Sequence, residues 1–96
     1  MREVVLSAIG WRTADDFYDS FFRAVGAPPW HGRNFNALND SIGTGDINQI
    51  EVPYRIVIRG LSWASADART IAMDFEQLVY RLAEKRCPVE IVIEPN

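Results

Sequence analysis

The chain has one cysteine and one histidine, no Lys/Arg block and no long apolar run, and each shortage removes a class of function. Cys87 has no partner for an internal disulfide. With His31 it cannot assemble a zinc site at ligand spacing, so no metal centre is expected. Without a basic block there is no electrostatic footprint for nucleic acid, and a net charge of -3 suits a basic protein partner better. No stretch approaches the roughly 20 apolar residues that span a bilayer. Residues 1–9 are too short and too acidic for a signal peptide, so a cytoplasmic protein without membrane contact is expected. Glycine loops of the Walker or dinucleotide pattern are missing, as is a strand-turn-helix serine elbow. No cofactor and no catalytic set is therefore expected, and Cys87 reads as a buried, inert thiol.

What is present is ordinary for a folded protein. Ninety-six residues, 48% hydrophobic and 24% charged, suit one small domain over 1–96 with a two-layer core. Residues 3–9 are β-branched and aliphatic, nearly without alternation, which predicts a strand covered on both faces. Thr13 with Asp15 and Asp16 opens a helix whose apolar line is Phe17, Phe21, Ala24 and Val25, and Gly26 closes it. A short helix is predicted at 34–42, followed by a polar connection at 43–51. A strand follows at 52–60, with Pro53 at its start where a missing donor is tolerated. Ile71, Phe75, Leu78, Val79 and Leu82 mark a long amphipathic helix to about residue 85, and 89–93 is a third strand. The order β, α, α, β, α, β predicts an α/β fold in which helices pack on a three-stranded parallel sheet.

Residues 30–43 hold the most chemistry. Phe35, Leu38 and Ile42 form one apolar stripe, while Arg33, Asn36 and Asp40 fall on another line at offsets of three and four. Asp40 is expected in the last turn before Gly43, where the carbonyl end of the helix dipole disfavours a negative charge. A carboxylate there, with Asn36 a turn away and Trp30 and His31 leading in, is the mixture that protein interfaces concentrate at their centres. The plainer reading is that Trp30 caps the core and Asp40 is ordinary surface. A third is a small hydrolase using His31 and Asp40 as a general-base pair.

The segment Pro29-Trp30-His31-Gly32-Arg33-Asn34-Phe35-Asn36-Ala37-Leu38-Asn39-Asp40 resembles the signature of the barstar family, intracellular inhibitors of secreted bacterial ribonucleases. The likeness continues through 52–58 and 82–93, so it covers most of the chain. It implies a barstar-like fold and a cytoplasmic, immunity-type protein, monomeric in a 1:1 complex that occludes the active site of a basic bacterial nuclease toxin, a ribonuclease above all. It also implies a partner-binding surface of Trp30, His31, Arg33, Asn34, Asn36, Asn39, Asp40, Asp46, Glu51 and Arg81. Asp40 matches the family's central acid, Trp30 an interface tyrosine, and Glu51 an acid before the proline of the second strand. Three positions depart from the pattern: Asn36, Arg33 and Arg81 stand where the family has acids. Arg33 and Arg81 are expected to repel a cluster of arginine and lysine, which implies a cognate partner other than barnase. The alternative is a binding module of the same fold that does not inhibit a nuclease.

Overall fold

The computed structural model describes residues 1–95. Three strands, β1 (Arg2–Ser7), β2 (Tyr54–Arg59) and β3 (Val89–Ile93), form one parallel sheet in the order β1-β2-β3. Helices α1 (Ala14–Val25) and α2 (Phe35–Asn39) lie between β1 and β2, and α3 (Ala66–Glu84) lies between β2 and β3. This is the α/β order that the periodicities predict.

The strands differ from expectation in one respect. Burial alternates along β1 and β3, with Val4, Leu6, Val89 and Ile91 in the core and Val5 and Val92 exposed. β1 is therefore covered on one face, not both. The open face is made tolerable by rows across the register. Arg55 pairs with Glu3 and Glu90 at 3.4 and 3.0 Å, and Arg59 pairs with Glu94 at 2.9 Å. Between them Val57, flanked by Val5 and Val92, is buried although it stands outside the core cluster. The aliphatic run at 4–6 hides this, because valine serves both a buried position and the centre of such a row.

On the covered face α1 and α3 meet through aromatic rings. Phe75 lies 4.9 Å from Phe17 and 5.4 Å from Phe21, centroid to centroid. α1 ends as predicted on Gly26, in the left-handed region at φ 66°. α3 begins earlier than its apolar stripe indicates, because the Ser65 side chain caps it by accepting from Ala68 N–H at 3.1 Å.

The start of α1 carries a pH-dependent contribution to stability. The Asp16 carboxylate accepts from the backbone N–H groups of Arg12 and Thr13 at 2.7 and 3.2 Å, and these bonds hold its pKa below the usual carboxylate value. A depressed folded-state pKa means stabilisation that is fully present above the unfolded value and lost as pH falls through the folded one. Asp16→Asn should lower the melting temperature at pH 7. The gap to wild type should narrow below about pH 4, measured by thermal melts across pH.

Candidate functional site

The candidate surface is a loop and a short helix held against the body from behind. α2 has only five residues, too few to persist alone. Asn34 caps it, its side-chain oxygen accepting from Ala37 N–H at 2.8 Å, and Leu38 anchors it in the core. It does not stop at Gly43. The chain continues through a wide π turn, Asp40–Thr44, closed by Gly45 N–H donating to the Asp40 carbonyl, and leaves at Gly45 with φ 87°. Asp40 therefore sits at the middle of a ten-residue helical run, and the dipole argument for its being misplaced does not hold. Gly43 serves a different purpose from a stop: a Cβ there would lie 3.0 Å from Leu82 Cδ2 on α3. The extra residue per turn brings neighbours Ser41 and Ile42 both inward.

His31 is turned in as well. Its ring is buried, 4.4 Å from the Phe22 ring, with Nδ1 2.9 Å from the Gly32 carbonyl and Nε2 2.9 Å from Ser41 Oγ. A carbonyl only accepts, so Nδ1 donates to Gly32, while Nε2 meets the Ser41 hydroxyl, which itself donates to the Leu38 carbonyl at 3.4 Å. Both ring nitrogens are thus engaged, Nδ1 within the loop and Nε2 tying the loop to the helical run, and the His31–Asp40 pair of the hydrolase reading does not form.

Arg33, although exposed, also engages its own protein. Its guanidinium pairs with Asp15 at 3.2 Å and Asp19 at 2.5 Å and lies 5.5 Å over the Phe22 ring; the Asp19 hydrogen bond above all raises its pKa. Its charge is thereby paired with two acids of α1 at the surface. Glu51 is half-buried and organises the connection, its Oε1 accepting from Asp46 N–H at 2.9 Å while Oε2 is buried without a partner. Gly45 is needed opposite it, since a Cβ would come within 2.7 Å of that Oε1. Burial, and behind it the Glu51 charge, push the Tyr54 phenol well above its usual value.

What remains outward is compact. Trp30 is 72% exposed, and with Asp40, Ala37 and Ile47 it borders a hollow of about 130 Å³. Asn36, Asn39 and Asp46 are exposed too, and the carboxylates of Asp40 and Asp46 enter no ion pair or hydrogen bond among the described residues. Arg81 on α3 is exposed and enters no ion pair among the described residues, next to Leu82, which packs under Gly43. The structure thus joins Trp30 and Asp40 around one hollow, places Asn36 and Asn39 on the same short helix, and leaves Arg81 on a neighbouring one.

An exposed indole in the loop thus stands beside a carboxylate that is unpaired among the described residues, on a helical run pinned from behind. A family model described as barstar (barnase inhibitor) matches residues 1–94. The chain belongs to the barstar family. No curated protein matches it. Within the barstar fold the sheet and three helices are those the sequence resemblance implies, and the Trp30–Asp40 hollow lies in the stretch that carries it. No helix among the described residues is long and apolar enough to cross a membrane, and no group of His, Cys, Asp or Glu there could hold a metal ion.

Phe22, Asp19, Ser41 and Ile47 were not legible as site residues. Each reaches the loop from another turn or element, and no spacing within residues 30–43 points to them. Cys87 is half-buried, not buried as the sequence reading expects; it donates from Sγ to the Ile42 carbonyl at 3.7 Å, and burial raises its pKa.

Proposed function

We propose that this chain is a cytoplasmic, immunity-type inhibitor that binds a cognate bacterial ribonuclease, or a related nuclease toxin, one to one and occludes its active site as a single barstar-like domain. The observation that carries this reading is the unpaired Asp40 carboxylate beside the exposed Trp30 on a braced helix. A nuclease cleft binds phosphate with cations, and an exposed carboxylate on a braced surface fits such a cleft with a charge-assisted contact. Trp30, Asn36, Asn39, Asp40 and Asp46 touch the nuclease. His31, Arg33, Asn34 and Glu51 shape the surface from behind, which keeps its ordering cost on binding low. Arg81 lies at the margin and bears on which nuclease is accepted.

Its test is a titration of purified secreted bacterial ribonuclease domains, barnase among them, with the chain while RNA cleavage is followed. Stoichiometric loss of cleavage for at least one domain is expected. The unpaired Arg81 favours a second reading, a binding module of the same fold with a partner that is not a nuclease. Complete absence of inhibition across ribonucleases and deoxyribonucleases would favour it.

A further inference from the structure

On the other side of the short helix lies a cleft of opposite sign. It has a volume of about 370 Å³ and is lined by Asn39 and Thr44 from the helical run and by Leu82, Lys85, Arg86 and Cys87 from the end of α3. No carboxylate lines it. Arg33, Arg55 and Arg59 are paired with acids; Lys85 and Arg86 are exposed and, like Arg2, Arg12, Arg23, Arg69 and Arg81, enter no ion pair among the described residues, but of these only Lys85 and Arg86 line the cleft. The Asn39 amide and the Thr44 hydroxyl have no side-chain hydrogen bond there either.

The backbone supplies an independent observation. Arg86 has φ 69°, the left-handed position after a helix that glycine ordinarily fills. Attraction between cations and the carbonyl end of a helix accounts for basic residues in this region. It does not account for arginine at the residue where glycine would fold with less strain.

We infer that this cleft seats a carboxylate side chain of the partner protein, so that recognition uses both signs: Asp40 and Asp46 meet cations in the nuclease cleft, and Lys85 with Arg86 takes an acid on its rim. The partner's role rests on the reading under Proposed function; the ligand chemistry of the cleft does not. A polynucleotide is the poorer occupant, because Asp40 stands on the adjoining face and the chain is acidic overall at -3.

The cleft is tested first without a nuclease. The isotopically labelled full chain is titrated by NMR with hexaglutamate, hexalysine and single-stranded hexauridylate. Hexaglutamate should shift the amides of Asn39, Thr44, Lys85 and Arg86, and hexalysine those around Asp40 and Asp46. In a Lys85→Gln/Arg86→Gly variant the hexaglutamate shifts should vanish and the hexalysine shifts persist. Arg86→Gly alone should raise the melting temperature while weakening hexaglutamate binding, which separates function from folding. Hexaglutamate shifts that miss the cleft, or that survive in the double variant, overturn the proposal; so does tighter binding of hexauridylate there.

The second arm uses whichever ribonuclease the chain inhibits. Lys85→Gln/Arg86→Gly should weaken that complex about tenfold or more, as expected when a desolvated charge pair loses one member. Unchanged affinity, with Asp40→Ala still disruptive, overturns the two-signed surface and leaves the inhibitor reading standing. Hexaglutamate binding without any inhibited nuclease supports the carboxylate site and removes the inhibitor reading.

Discussion

Asp40→Ala should weaken the complex with the cognate nuclease by about 3 kcal/mol or more, at least two orders of magnitude in Kd, with stability changed by less than about 0.5 kcal/mol. The asymmetry follows from where the carboxylate is. In the free chain it is exposed and touches no partner, so its removal breaks nothing within the fold. In the complex it faces a cationic cleft that excludes water, and truncation leaves those cations buried and unmatched. Asp15 is a poor control, because it holds Arg33 and through it the loop. Asp74, exposed on α3 and outside every ion pair among the described residues, is the better one. Asp74→Ala should leave Kd unchanged. Added salt should slow association more than it speeds dissociation, since the unpaired carboxylates act at a distance before contact. Isothermal titration and stopped-flow binding of the Asp40 and Asp74 variants check each part.

Leu38→Ala should act in the opposite order, through the fold first. Leu38 is fully buried and is the one buried residue of α2, two positions from both Asn36 and Asp40, which places it on the inward side of the helix when they face out. Removing three carbons from a closed core costs about 3 kcal/mol, within a range of roughly 2–5. In a chain of this size that lowers the melting temperature by roughly 15 °C. The same change should loosen the helix that presents Asp40, so amides across residues 34–44 should exchange faster while those of β2 stay protected. A Leu38→Met variant, which keeps the volume, should retain most of the stability and affinity. Equal loss of protection in α2 and β2 would mean that α2 is not held by this contact.

Much of the architecture was readable in the chain, because helices and strands announce themselves by period and by their caps. Gly26 ends α1 through its left-handed backbone and Ser65 begins α3 through its side-chain cap. The open face of the sheet was not readable, since Val5, Val57 and Val92 look the same whether a second layer covers them or not. Asp40 was found, but by an argument that assumed a stop at Gly43, and the π turn removes that premise. The exposed Trp30 and the family resemblance are what keep it at the centre of the surface. His31 and Arg33 are legible as unusual residues yet not as braces, because Ser41, Phe22 and Asp19, which hold them, lie 9–14 positions away. Strain at Arg86 is a backbone property, and no residue pattern signals an arginine at positive φ.

The central claim is that the Trp30–Asp40 surface enters the nuclease where RNA does. Competition measures it most directly: the chain and a short RNA that the nuclease cannot cleave are offered together to the inhibited ribonuclease. The apparent Kd of the chain should rise in proportion to the concentration of RNA, and the Asp40→Ala variant should be displaced at lower RNA than wild type. An apparent Kd that does not change with RNA would place the chain elsewhere on the nuclease and contradict the account.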